Sequence, residues 1–91
     1  MKCEWDGDKA QSNLLKHGVS FLEASTVFGD PVSLTIPDPK HSDAEDRAVI
    51  IGVSTGMRTL VVVHTYRGDA VRIISARPAT KHERKQYEEG F

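Results

Sequence analysis

The chain has 91 residues, of which 38% are hydrophobic and 27% are charged, so it has room for one domain spanning residues 1–91 and is not typical of disordered proteins. No stretch approaches the roughly 18 consecutive apolar residues of a membrane helix, and the acidic start MKCEWDGDK is unlike a signal peptide, so we expect a cytoplasmic protein. The net charge of -1 is the sum of -5 over residues 1–46 and +4 over residues 47–91, which predicts a basic surface in the second half.

The first predicted helix is marked by capping residues at both ends. Asp6 or Asp8 can accept hydrogen bonds from free amides at a helix start, and Gly18 can adopt the left-handed conformation that ends a helix. The helix is therefore predicted to run through Lys16. A short strand over residues 2–5 is a further prediction ahead of it.

A second helix is predicted over residues 21–28. Ser20 and Glu23 have the spacing of a capping box, in which the two side chains satisfy each other's free backbone amides. Gly29, followed by an aspartate and a proline, ends the helix because the residue before proline is pushed away from helical geometry.

The middle of the chain predicts a short strand and a loop. The alternating segment VSLTIP, residues 32–37, is typical of a strand, whereas residues 38–47 have loop composition. We expect the acidic cluster in this loop to be mobile.

Residues 47–77 predict a three-stranded antiparallel meander. Two β-rich runs, residues 47–53 and 58–67, are separated by a turn-like segment, and a tight turn at Gly68 and Asp69 leads into a third run over residues 71–77.

The last predicted element is a helix that begins with the capping box of Thr80 and Glu83 and ends near Gly90. The fold class is therefore α+β, an antiparallel sheet with two N-terminal helices and one C-terminal helix. The N-terminal helices are expected to cover a core made of Leu14, Val19, Phe21, Ala24, Val27, Phe28, Leu60, Val62 and Ile73.

The pairing around the Gly68 turn decides which side chains share a face of the sheet. A two-residue turn places Arg67, Thr65 and Arg72 on one face, and on the other Tyr66, His64, Ser75 and Arg77. A one-residue bulge at Gly68 instead brings together Arg67, Ser75 and Arg77. The sequence favours neither register.

In either register, residues suited to RNA chemistry lie on strands that are otherwise apolar. Arginine binds phosphate through paired hydrogen bonds, and either His64 or His17 could carry protons near neutral pH. Tyr66 could stack on a base or donate a hydrogen bond. A base, an acid and a cation suffice for attack of the RNA 2′-hydroxyl on the adjacent phosphorus, so no metal is required.

Four segments, WDGDKAQSNLLKHGVSF, EASTVFGDP, DRAVIIG and YRGDAVRIISARPATKHERKQYEEG, resemble the BrnT toxins along nearly the whole chain. The resemblance implies a RelE-like domain and a ribonuclease toxin of a type II toxin-antitoxin system that inhibits translation. It also implies neutralisation by a BrnA-like antitoxin, whose ribbon-helix-helix domain binds operator DNA. Since such domains dimerise, a 2:2 heterotetramer is expected, in which the toxin meets operator DNA only through the antitoxin.

The resemblance also directs attention to particular residues. Residues expected to act in catalysis are Arg67, Arg77, His64 and Tyr66, and those expected to bind RNA are Lys16, His17, Arg72 and Ser75. The single cysteine and the scattered histidines predict neither a disulfide nor a metal site, and no cofactor is expected.

Two alternatives remain open at the level of sequence. A non-catalytic module that binds RNA or a protein would use the same basic face. A degenerate toxin retained as a co-repressor would keep the antitoxin surface and lose cleavage. Both alternatives predict that the chain does not cut RNA.

Overall fold

A five-stranded mixed sheet forms the centre of the structure, a computed structural model that describes residues 2–38 and 46–90. The strands are β1 (Lys2–Glu4), β2 (Leu34–Pro37), β3 (Arg47–Val53), β4 (Thr59–Arg67) and β5 (Ala70–Pro78). The helices are α1 (Gly7–His17), α2 (Phe21–Thr26), which continues as a 3₁₀ turn (Val27–Gly29), and α3 (Lys81–Glu89). Most of the loop expected to be mobile lies outside the described residues. No described helix is long and apolar enough to cross a membrane.

The capping signals correctly locate the helix boundaries. The Asp6 carboxylate accepts a hydrogen bond from the Lys9 amide at the start of α1, and Gly18 ends this helix with a φ of 70°. At α3 the reciprocal capping box of Thr80 and Glu83 is complete.

At α2 only half of the expected capping box forms. The Ser20 hydroxyl accepts from the Glu23 amide, but the Glu23 carboxylate instead accepts hydrogen bonds from Ser54 and Arg58. A second nitrogen of Arg58 donates to the Gly18 carbonyl. Arg58 therefore ties the two helices to the β3–β4 turn and is not part of a basic RNA surface.

The predicted meander is confirmed, and one part of the sheet prediction is wrong. Strands β3, β4 and β5 pair antiparallel, and β2 extends this arrangement beside β3, but β1 pairs parallel to β5. The sheet order is β1-β5-β4-β3-β2, so the sheet is mixed rather than antiparallel. The first strand contains only three residues, and the sequence carried no signal for its partner.

The register combines features of the two sequence alternatives. Gly68 and Asp69 form the two-residue turn, with Arg67 opposite Ala70. The bulge occurs further along, because Val63 lies opposite Ser75 while His64 lies opposite Ile73. A bulge reverses the facing of the residues that follow it. Ser75 and Arg77 therefore lie on the same face as Arg67, as expected for a bulge at Gly68, although the bulge is elsewhere.

The core lies between the N-terminal helices and one face of the sheet, as predicted. Its buried members include Val19, Phe21, Ala24, Val27, Leu60, Val62 and Ile73, and Phe28 packs against them. Leu14 was wrongly assigned to the core, since it is 49% exposed. The adjacent Asn13 is buried in its place.

Asn13 joins α1 to the part of β5 whose edge away from β4 has no partner strand among the described residues. The first strand pairs only with residues 70–72 of β5, and the backbone groups of Ala76 point away from β4. The Asn13 amide donates to the Ala76 carbonyl over 2.8 Å and accepts from the Ala76 amide over 3.1 Å. It also donates to the Val19 carbonyl. One buried side chain thus satisfies three backbone groups next to the bulge.

Replacing Asn13 should destabilise the protein strongly. The variant Asn13→Ala leaves these buried backbone groups without partners, which should lower the free energy of unfolding by about 2 to 4 kcal/mol. The matched control is Gln11→Ala, an exposed position of the same helix, where a change within about 0.5 kcal/mol is expected. Urea denaturation measures both, and equal stability of the two variants would contradict this role of Asn13.

Candidate functional site

Four arginines lie on the face of the sheet opposite the N-terminal helices. Pairing in register across β3, β4 and β5 places on this face the side chains of Arg47, Thr65, Arg67, Arg72, Ser75 and Arg77. We call this surface the open face. The bulge between Ile73 and Ser75 accounts for the presence of Ser75 and Arg77, so four guanidinium groups share one surface.

A cleft of about 420 Å³ occupies the centre of the open face. Its floor is apolar, and its polar lining is supplied by Asp38, Arg47, Ser75, Arg77 and Glu83. The outer wall comes from α3, which packs against Ile51 and Val61 through Tyr87. The cleft therefore combines two arginines, two carboxylates and a hydroxyl group with an apolar floor.

Arg77 is engaged by α3 in this structure. Its guanidinium donates two hydrogen bonds to the Glu83 carboxylate, at 2.7 and 2.8 Å. The paired hydrogen bonds from Arg77 outweigh burial and lower the pKa of Glu83 to about 2. In this conformation Arg77 is paired with Glu83, so an anion could reach both of its donors only by replacing that carboxylate.

Tyr87 holds the same helix in place from its other end. Its hydroxyl donates to the Asp30 carboxylate over 2.5 Å, which raises the pKa of Tyr87 to about 12. Asp30 also accepts from the amides of Val32 and Val53. Burial alone would raise the pKa of Asp30, but these hydrogen bonds hold it below its ordinary value.

The two other predicted arginines, Arg67 for catalysis and Arg72 for RNA binding, lie towards the Gly68 end of the open face. Arg72 is 3.9 Å from Glu4, a loose ion pair, and Arg67 is exposed at the end of β4. Thr65 lies between Arg47 and Arg72 in register, and its hydroxyl donates to the Asp46 carbonyl.

His64 is separated from the arginines by the sheet. It lies on the helix-covered face with no exposed surface, edge-on to Phe28 at a ring distance of 4.8 Å. Burial lowers its pKa, although a hydrogen bond to the Val62 carbonyl acts in the opposite direction. With its Nδ1 donating to that carbonyl, the neutral ring can accept at Nε2 from the Tyr66 hydroxyl, 3.3 Å away.

Tyr66 reaches the surface beside the open face. Its side chain is 56% exposed and lines a second cleft of about 400 Å³. That cleft shares Ile36, Asp38 and Arg47 with the central one. Tyr66 lies on the same face of the sheet as His64, and among the open-face residues only Arg47 lines its cleft.

Lys16 and His17 line a third cleft, of about 300 Å³, at the C-terminal end of α1. This cleft shares Ile74 and Ser75 with the central one. The structure thus places Lys16, His17, Ser75 and Arg77 around two adjoining clefts. Arg67 and Arg72 share the open face but line neither cleft, and Arg67 is six residues along β4 from the partner of Arg77, about 20 Å away. His64 lies in the core.

Three polar residues of the central cleft, Asp38, Arg47 and Glu83, were not predicted as site residues from the sequence. Arg47 lines two clefts, but a single arginine at the start of a strand carries no distinguishing signal. Glu83 was identified only as part of a capping box. The spacing of Arg77 and Glu83 across a strand end and a helix start could have suggested the ion pair, because a carboxylate in the first helical turn lies close to the preceding strand.

Comparison with known proteins agrees with this architecture. Residues 5–83 match the family model described as ribonuclease toxin, BrnT, of type II toxin-antitoxin system. Among solved structures, the chain is similar to the ribonuclease toxin BrnT of Brucella abortus, with a TM-score of 0.70 and 28% sequence identity. The similarity covers 89% of this chain and 99% of that one. No curated protein matches the chain.

Because of the Arg77–Glu83 pair, the stability of the protein should change with pH in the acidic range. Because folding lowers the pKa of Glu83 from 4.5 to about 2, the contribution of the pair is complete above pH 4.5 and is lost as the pH falls towards 2. Glu83→Gln can retain the helix cap but not the ion pair. It should therefore lower the free energy of unfolding by roughly 1 kcal/mol at neutral pH, and its stability should vary less with pH between 2 and 4.5. Thermal melting against pH measures this, with exposed Glu88→Gln as control, and parallel curves for the parental protein and Glu83→Gln would contradict it.

Proposed function

Because the chain belongs to the BrnT family of ribonuclease toxins of type II toxin-antitoxin systems, we propose that it is a metal-independent endoribonuclease whose substrate lies on the open face. The observation that carries this proposal is the bulge in β5, which adds Ser75 and Arg77 to the surface of Arg67 and Arg72. Without the bulge, both residues would face the N-terminal helices. The proposal assigns residues 1–91 to a single catalytic domain.

The proposed reaction is transfer of the phosphodiester to the neighbouring 2′-oxygen. The 2′-oxygen bonds to phosphorus, the bond from phosphorus to the 5′-oxygen breaks, and the products are a 2′,3′-cyclic phosphate and a 5′-hydroxyl. A base takes the 2′ proton and an acid supplies one to the leaving oxygen. Arg77 would stabilise the added negative charge on the phosphate oxygens after exchanging Glu83 for the substrate, and Arg67, about 20 Å away along β4, would hold another phosphate of the same strand.

His17 is the better candidate for proton transfer than His64. Ser75 and His17 line the same cleft, and His17 is partly exposed. His64 has no exposed surface and is surrounded by Phe28, Val62 and Tyr66. In this proposal His64 positions Tyr66 through the contact between Nε2 and the hydroxyl. Tyr66 then offers its exposed ring to a base at the rim of the open face.

A BrnA-like ribbon-helix-helix antitoxin is the proposed partner. Membership of a type II toxin-antitoxin family supports an antitoxin, and the arginine surface is a site that such a protein would have to cover or distort. Cleavage of messenger RNA in the cytoplasm, with inhibition of translation, would be the result of its release. Operator DNA would contact the toxin only through the antitoxin.

Removing either arginine should slow RNA cleavage in the absence of antitoxin. Arg77→Ala removes a charged donor from the transition state, so kcat/KM should fall by roughly 10² to 10³, whereas Arg67→Ala removes a contact to another phosphate and should act mainly by raising KM. The corresponding lysine variants should recover only part of the rate, because an ammonium group keeps the charge but not the paired geometry. Rates are measured on a fluorogenic RNA in a buffer with chelator, where the parental enzyme should stay active.

Arg84→Ala is the matched control, since Arg84 is exposed on α3 and lines none of the three clefts. It should cut RNA at the parental rate. Arg77→Ala also leaves Glu83 without its partner, so thermal melting is needed to correct for unfolded enzyme. Parental rates for both alanine variants would refute the assignment of the site, and no cleavage by the parental protein would favour the non-catalytic alternatives.

Replacing each of the two histidines should have a different effect on the pH-rate profile. His17→Ala should remove one limb of the profile, because the group that transfers the proton sets that limb. His64→Ala should keep the limb and lower the free energy of unfolding by about 2 kcal/mol or more, since it empties a fully buried position. Loss of the limb in His64→Ala but not in His17→Ala would show that His64, and not His17, transfers the proton.

The assembly with antitoxin should contain two copies of each chain. Ribbon-helix-helix domains dimerise, so each half of an antitoxin dimer would bring one toxin. Multi-angle light scattering of the co-expressed pair should give the mass of a 2:2 complex. A 1:1 mass that persists at micromolar concentration would count against this arrangement.

A further inference from the structure

The cleft beside α1 is formed by one face of that helix and the uncovered part of β5. Lys9, Ser12, Asn13 and Lys16 are spaced by three or four residues and therefore share a helix face. Asn13 bonds to the strand backbone, whereas Lys9 and Lys16 are exposed. We call this cleft the α1 groove.

The α1 groove is continuous with the central cleft. Ile74 and Ser75 line both, so the bulge lies at their common border. The groove holds two lysines and His17 against one carboxylate, Asp8. These charges suit the flexible, negatively charged backbone of a single-stranded nucleic acid that passes from the open face over Ser75 into the groove.

We propose that the α1 groove is a second phosphate subsite, in which Lys9 and Lys16 hold single-stranded RNA next to the phosphate that lies on the open face. The proposal rests on the proposed function, because it assumes that the open face holds the scissile phosphate. A single strand is favoured over a duplex, since two clefts that meet at a strand bulge require a backbone that can bend between adjacent nucleotides.

The number of phosphate contacts should therefore depend on the length of the RNA. A dinucleotide can occupy the central cleft alone, whereas a longer strand reaches the lysines as well. Each phosphate contact in a single strand contributes about 0.7 to the slope of log affinity against log salt concentration. Two lysines should therefore account for about 1.4 of that slope for a longer strand and for little of it with a dinucleotide.

The test is a salt titration of affinity that needs no catalysis. The probe is a fluorescent single-stranded 2′-O-methyl RNA, which cannot be cut because its 2′-oxygen is blocked. Lys9→Gln/Lys16→Gln should bind it more weakly, with a slope smaller by about 1.4, whereas Lys9→Arg/Lys16→Arg should keep the parental slope. The control Lys81→Gln/Lys85→Gln removes the same charge from exposed positions of α3 that line neither cleft, and it should also keep that slope.

A parental slope for Lys9→Gln/Lys16→Gln would overturn the subsite, as would an equal loss in the α3 control or an effect confined to duplex DNA. Cleavage of ordinary RNA is measured separately. If the parental chain cuts RNA but the slope does not depend on the two lysines, the subsite is wrong and the proposed function stands. If the slope depends on them but no RNA is cut, the binding groove stands and the proposed reaction fails.

Discussion

The hydrogen bonds between Asn13 and Ala76 are the constraint on which the functional surface depends. Beyond Arg72 the fifth strand has β4 on one edge and, among the described residues, no strand on the other, where an unpaired buried amide and carbonyl would destabilise the extended conformation. The Asn13 side chain supplies both missing partners and sits directly after the bulge. It thereby fixes α1 against the strand and holds the register that turns Ser75 and Arg77 away from the core.

The bulge reconciles a core and a cationic surface on a single strand. Val71 and Ile73 alternate into the core before it, and Ala76 continues that side after it. The extra residue, Ile74, shifts the alternation by one position, so Ser75 and Arg77 face away from the core while Ala76 faces it. A regular strand would have forced either Arg77 into the core or Ile73 out of it, and both are costly.

The C-terminal helix completes the surface through polar contacts more than through burial. None of its residues is buried, and it is held by Tyr87 on Asp30, by apolar contact with Ile51 and Val61, and by the Arg77–Glu83 pair. One of these three contacts uses the arginine that the proposed reaction needs. In the proposed reaction, substrate binding would compete with the seating of α3, because one guanidinium cannot make both sets of paired hydrogen bonds in full.

The sequence by itself determined the helices, the meander and most of the core, because capping residues, alternation and turn residues act over a few positions. The family followed separately, from the resemblance of four segments to known toxins. Tertiary structure decided the parallel pairing of a three-residue strand, the burial of Asn13 in place of Leu14, and the site of the bulge. It also placed His64 in the core and joined Arg77 to Glu83. These outcomes depend on which buried polar groups find partners across elements distant in the chain, and local patterns carry no information about that choice.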